Sequence, residues 1–303
     1  MELKSFAEFC GEKGIKYKFN EPMSAHTSFK IGGPADIFVT VASAAELSAV
    51  IKKASELNVK TFILGKGSNL LVSDGGIEGA VISLSGLNGV SAEGTELTAM
   101  AGTPLSEVCR AAAGASLTGL EFAYGIPGSA GGALFMNAGA YGGEMADAVK
   151  SAEFVDSYGS AGRIERADMK LGYRSSIFKS GGMVITSVTF ALKRGIKADI
   201  EAAMNDYIGR RKAKQPLEYP SAGSTFKRPD GYFAGALIEK NGLKGVSVGG
   251  AMVSEKHAGF VINYNNATCS DVKQLIEKIK RTVKSSDGVD LEPEVIFTGR
   301  DEV

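Results

Sequence analysis

The chain is poor in the residues that most often carry metal, redox or disulfide chemistry. It has three cysteines, Cys10, Cys109 and Cys269, and two histidines, His26 and His257. An odd, widely scattered cysteine set reads as reduced thiols in a cytoplasmic protein, not as a disulfide framework. With no Cys/His cluster, a metal site is not expected. Net charge is also missing, since Lys+Arg and Asp+Glu number 34 each. That balance argues against a protein built to coat nucleic acid or an anionic membrane. Any anionic ligand has to be held by local features. No stretch has the length and apolarity of a signal peptide or membrane span, and there is no repeat or low-complexity tract. What remains is ordinary globular composition, 44% hydrophobic and 22% charged, over 303 residues, enough for two or three modules.

Strand and helix patterns alternate along the chain. Ala35–Val41 is β-rich. Ser43 and Glu46 then have capping-box spacing, and Leu47, Val50, Ile51, Ala54 and Leu57 share a helical face. Residues 59–64 read as a buried strand, completing a strand–helix–strand unit suited to a right-handed crossover. Strands follow at 80–84 and 96–101, and Thr103-Pro104 opens a helix to about Ala113. Residues 114–143 are loop-rich. Strands return at 153–156 and 182–192, and Lys193-Arg194-Gly195 is the best candidate boundary. Beyond it the patterns predict helices near 198–212 and 270–284 and strands near 247–253, 259–263 and 291–297.

Two glycine-rich loops carry the first functional signal. In the first, Gly65-Lys66-Gly67-Ser68-Asn69 follows a strand, where free backbone N–H groups often meet phosphate. It is neither a Rossmann fingerprint, because Leu70 stands where the third glycine belongs, nor a Walker loop. A plain turn using glycine for positive φ is an equal reading. The second, Gly125-Ile126-Pro127-Gly128-Ser129-Ala130-Gly131-Gly132-Ala133, packs four glycines into nine positions. Such density removes side chains and is expected to expose consecutive N–H donors to a pyrophosphate, although it also permits tight backbone packing.

Together with Tyr141, these loops resemble the FAD-binding domain of vanillyl-alcohol-oxidase-type flavoproteins. Adding Gly172-Tyr173-Arg174-Ser175-Ser176, Ala222-Gly223-Ser224-Thr225-Phe226-Lys227 and Leu291-Glu292-Pro293-Glu294-Val295, nearly the whole chain resembles the UDP-N-acetylenolpyruvoylglucosamine reductase family in motif order. Its spacing is similar to the shorter, type II form. The resemblance implies a mixed α+β fold: an FAD-binding domain in two α/β subdomains, 1–73 and 74–195, and a C-terminal α/β substrate-binding domain, 196–303. It implies noncovalent FAD, although His26 invites thought of a covalent link, with NADPH as reductant and a UDP-sugar as substrate.

The resemblance also assigns roles. Ser224 matches the proton donor, Arg174 the arginine that holds the enolpyruvyl carboxylate, and Glu294 the catalytic carboxylate. In strand geometry Glu292 and Glu294 share a face, and motif register favours Glu294. Tyr141, Tyr173, Arg211, Gln215 and Lys227 are second-rank substrate contacts, with the run 210–214 equally readable as a solvated helix end. His257 reads as structural or as a minor substrate-site residue. Nothing forces an interface, so a monomer is expected. Two other readings stay open: another flavoenzyme on this scaffold, such as an alcohol or sugar oxidase, and a nonenzymatic flavin sensor.

Overall fold

The computed structural model describes residues 2–300. The chain forms two compact units, neither contiguous in sequence. The first comprises residues 2–19, 37–66 and 79–211; the second comprises 20–36, 67–78 and 212–300.

The first unit is built on two sheets. One has four strands in the order Lys16–Pro22, Pro34–Thr40, Ile77–Ser83, Thr61–Leu64, and its last pair is parallel. The expected strand–helix–strand unit is present, but its two strands are not neighbours, because Ile77–Ser83 lies between them. The helix that joins them, Ala44–Glu56, begins as its sequence predicts. Ser43 Oγ accepts the Glu46 N–H at 3.1 Å, while the Glu46 carboxylate reaches one residue further back, to the Ala42 N–H at 2.8 Å. Leu47, Val50, Ile51 and Ala54 are buried.

The other sheet is antiparallel and five-stranded, in the order Ala161–Glu165, Val149–Asp156, Met183–Ala191, Glu96–Met100, Val90–Glu93. The helix Leu105–Gly114 starts behind Pro104, which lacks the N–H that a first helical turn leaves unpaired. Phe6, Leu47, Leu97, Val108, Leu134 and Phe190 are among the side chains of its continuous apolar core.

The second unit has its own core, which includes Phe29, Leu71, Phe226, Leu275, Ile276 and Ile279. The helix Cys269–Asp287 is fixed at both ends. Thr268 and Asp271 form a reciprocal capping box, and Gly288 closes the other end at φ +70°. It packs on a three-stranded antiparallel sheet, Ser247–Val248, Ala251–Val253 and Val261–Asn263. The single strand predicted over 247–253 is two, because Gly249-Gly250 turns the chain between them, Gly249 at φ +52°. A second pairing is parallel: Leu70–Val72 runs beside Ile296–Thr298. The mixed α+β class expected from the sequence holds in both units.

Candidate active site

In the second unit the first glycine loop is set by its neighbours. Gly67 sits at φ +63°, and a Cβ there would lie 2.1 Å from the His26 carbonyl oxygen, so only glycine fits. The Ser28 N–H donates to the Gly67 carbonyl at 3.1 Å, and Ser28 Oγ donates to the Ser221 carbonyl at 2.6 Å. Among the described residues, the backbone N–H groups of Gly67, Ser68 and Asn69 meet no protein acceptor. Three adjacent open donors, the first on a glycine with no room for a side chain, suit a phosphate-bearing group.

Beside it lie the segments that carry Ser224 and Glu294. Phe226 and Pro293 form an antiparallel bridge, flanked by Lys227 N–H to Glu292 carbonyl and Glu294 N–H to Thr225 carbonyl, each 2.8 Å. The strand predicted from 291 begins only at Ile296, because Pro293 has no N–H to continue a ladder. The alternation survives, with Leu291 and Val295 buried and Glu292 exposed. Lys227 pairs with Glu292, so its ammonium already has a partner. Ser224 is exposed, and the preceding Gly223, at φ +81°, leaves open space where a side chain would stand. Thr225 anchors the segment, its Oγ1 accepting the Val261 N–H at 2.9 Å. Gln215 has a buried Oε1 with no donor. Burial holds His257 below the ordinary histidine pKa, and its Nδ1 accepts the Gly259 N–H at 3.1 Å.

In the first unit the second glycine loop divides in two. The N–H groups of Ala130, Gly131, Gly132 and Ala133 go to Thr103, Ala101, Ser129 Oγ and the Ser129 carbonyl. A Cβ at Gly131 would lie 2.8 Å from Ala101 Cβ, so this half serves close packing. The expected run of consecutive exposed donors is therefore shorter than the glycine run. Only in the other half, Gly125, Gly128 and Ser129, do N–H groups stay without a protein acceptor among the described residues. A Cβ at Gly65 would stand 3.0 Å from Ser129 Oγ, so the start of the first loop meets the second here.

Arg174 is held on a tight turn in the same unit. Gly172 and Ser175 exchange both backbone hydrogen bonds, at 3.1 and 3.0 Å, leaving Tyr173 and Arg174 at the tip. Arg174 has φ +52°, a left-handed conformation that costs an ordinary side chain about 1 kcal/mol. The turn is braced from below: fully buried Asn137 donates to the Gly172 carbonyl at 3.0 Å and accepts the Ala146 N–H at 2.9 Å. Lys179 Nζ donates to the Arg174 carbonyl at 2.9 Å, and the guanidinium lies 5.2 Å from the Tyr173 ring centroid. These bonds fix the main chain of the turn from which the Arg174 side chain extends.

The basic run 210–214, at the end of the helix Lys197–Lys214, resolves into different roles. Arg210 is exposed and pairs with Asp206 at 2.7 Å. Arg211 is half-buried, and among the described residues it has no carboxylate partner. Burial lowers its pKa and proximity to Tyr141 opposes that shift. Its Cδ lies 3.1 Å from where a Gly125 Cβ would be. Tyr141 stacks on Tyr207, rings 4.7 Å apart and 8° from parallel. Sequence reading missed Tyr207, although it precedes Arg211 by one helical turn and so shares its face.

Comparison with known proteins places this geometry in two steps. Residues 35–165 match the family described as FAD binding domain, which together with its named reductase relatives makes the chain an FAD-dependent oxidoreductase. Residues 215–298 match the family described as UDP-N-acetylenolpyruvoylglucosamine reductase, C-terminal domain. The chain is 50% identical over 298 residues to a UDP-N-acetylenolpyruvoylglucosamine reductase of Clostridium perfringens, covering 98% of this chain and 97% of the relative. It is 52% identical over 284 residues to one from Clostridium novyi, covering 94% and 92%. The crystal structure of the reductase from Thermus caldophilus superposes with a TM-score of 0.80 at 35% identity, covering 93% of this chain and 98% of that one. The chain belongs to the UDP-N-acetylenolpyruvoylglucosamine reductase family.

Proposed function

We propose that this chain reduces the enolpyruvyl double bond of UDP-N-acetylglucosamine enolpyruvate to give UDP-N-acetylmuramate, using noncovalent FAD and NADPH. Full-length similarity to named reductases supports the reaction. The observation that carries the chemistry is the antiparallel contact of 225–227 with 292–294, which brings Ser224 and Glu294 onto adjacent extended segments.

The donors and glycine spacing fit FAD. Gly65, Lys66, Gly67, Ser68 and Asn69 would hold its phosphates, as would Gly125, Ile126, Pro127, Gly128 and Ser129, while Gly131 packs against Ala101 and Gly132 donates to Ser129 Oγ. FAD held there would supply the hydride-transfer chemistry between NADPH and the substrate. Hydride addition at the terminal enolpyruvyl carbon leaves charge on the adjacent carbon and its carboxylate. Arg174, pre-set by its turn, binds that carboxylate and stabilises the charge. Ser224, exposed beside an open glycine, protonates the adjacent carbon, and Glu294 serves the same step. Arg211, a desolvated cation without a carboxylate partner, meets the nucleotide's pyrophosphate, with Tyr141, Tyr173, Gln215 and Lys227 contributing to the same substrate. The three buried free cysteines suit the reducing cytoplasm, and no helix among the described residues is long and apolar enough to cross a membrane.

The test follows the flavin colour. The purified protein is expected to be yellow, to bleach with NADPH, and to regain colour on mixing with the enolpyruvyl nucleotide. Ser224→Ala should bleach normally but recover roughly 10²-fold more slowly or worse. Dioxygen restoring the colour faster than the nucleotide would point to an oxidase and overturn the assignment. Equal loss of bleaching and recovery in Ser224→Ala would remove Ser224 from the proton-transfer step.

A further inference from the structure

Asn69 belongs to the first glycine loop, yet its side chain turns away from any role in that loop alone. Its Nδ2 donates to the Glu294 carbonyl at 3.0 Å, and its own carbonyl accepts the Ile296 N–H at 3.0 Å. One residue therefore holds the chain on both sides of Val295, which is buried in the core of the second unit. The main chain of Glu294 is consequently fixed at both ends. Its N–H goes to the Thr225 carbonyl at 2.8 Å, next to Ser224, and its carbonyl receives the Asn69 amide. Beyond this point the parallel register, Leu70 with Ile296 through Val72 with Thr298, carries the pairing onward without side-chain help.

We propose that Asn69 is a positioning residue for Glu294. Its carboxamide ties the Glu294 main chain to the loop of open N–H donors, so the loop sets where the Glu294 carboxylate reaches. This rests on the reading of Glu294 as a participant in substrate reduction. The residue type follows from the geometry. An aspartate would oppose one acceptor with another, a leucine of similar size has no donor, and a serine is too short to span the same gap. Each removes the Nδ2 donor that the Glu294 carbonyl accepts.

The test uses FAD-saturated enzyme and separates the two half-reactions. Asn69→Asp and Asn69→Leu keep the main-chain N–H of the loop, and their reduction by NADPH is expected to slow clearly less than their reoxidation. Reoxidation by UDP-N-acetylglucosamine enolpyruvate should slow about tenfold, in its limiting rate and not in apparent substrate affinity. In a Glu294→Gln background, adding Asn69→Leu should cost no more than about twofold, because a residue acting only through Glu294 has little left to lose. Hydrogen exchange at the Ile296 amide should stay slow, since the strand pairing does not need the carboxamide. Where either variant fails to fold, Asn69→Ser provides the same comparison. Equal slowing of both half-reactions, full additivity with Glu294→Gln, or loss of Ile296 protection would overturn the proposal. If the parent enzyme itself is not reoxidised by the nucleotide, the assigned reaction fails; if it is, and only the Asn69 pattern is missing, this inference alone fails.

Discussion

The two glycine-rich loops look alike in sequence and use their glycines differently. In the first, Gly67 needs its positive φ and its close approach to His26, and the N–H groups of Gly67, Ser68 and Asn69 stay open. In the second, Gly131 is needed because Ala101 is pressed against it, and the donors from Ala130 to Ala133 are all used internally. A glycine can thus make room for a ligand or for the protein itself. The deciding observable is the destination of the adjacent N–H, not the number of glycines.

That contrast breaks most visibly at Gly67. Gly67→Val would put a β-branched side chain at φ +63° with its Cβ 2.1 Å from the His26 oxygen. The conformational cost alone is about 1–2 kcal/mol, and the clash with backbone that cannot swing aside adds about 1–3 kcal/mol. Expected outcomes are a loss of about 3 kcal/mol in chemical denaturation and a colourless purified protein. A yellow protein of parental stability would show that this loop has slack and that its open donors are not what retains the flavin.

Gly131→Ala should separate stability from cofactor. Alanine favours the helix Ala130–Phe135 by up to about 1 kcal/mol, but overpacking against Ala101 costs about 1–3 kcal/mol. Because the nearest atoms include Ala101 backbone, at 3.2 Å, the clash wins and a net loss of about 1 kcal/mol is expected. Flavin content per folded molecule should match the parent, since the Gly131 N–H already goes to the Ala101 carbonyl. Colour lost in step with stability would be expected for any unfolding; colour lost from the folded fraction would place this half of the loop at the flavin.

How far these differences could be read in advance depends on whether they are local. Ser43 and Glu46 announce their helix because a cap involves only neighbours, and the helix expected near 270–284 announces itself because period is a local property. The alternation of Leu291, Glu292 and Val295 was also legible, although Pro293 ends the ladder there. The placing of Ile77–Ser83 between two strands that a helix joins depends on contacts distant in sequence, and no periodicity encodes that order. At the site, the glycine motifs and Arg174 stood out by composition and resemblance. The brace from Asn137, the Tyr207 stack, and the Glu292 partner that occupies Lys227 did not, because each joins residues far apart in the chain.

The smallest effect should come at Gly125, where the two uses of glycine meet. A Cβ there would approach Arg211 Cδ at 3.1 Å and Ile208 Cδ1 at 3.3 Å, both ends of side chains that can yield. Alanine also restricts the unfolded chain, worth about 0.4–1 kcal/mol, so Gly125→Ala should change stability by less than about 1 kcal/mol. What moves is Arg211, whose desolvated guanidinium is assigned to the substrate pyrophosphate. Apparent KM for the UDP-sugar should therefore rise about threefold to tenfold, equivalent to about 0.7–1.4 kcal/mol, while the rate of flavin reduction by NADPH stays near the parent value. Measuring both half-reactions in one stopped-flow series decides between the uses. A KM effect alone makes Gly125 a spacer for Arg211. Weakened FAD retention with unchanged KM would instead group Gly125 with the open donors of Gly67, and the second loop would then touch the flavin from its first residue.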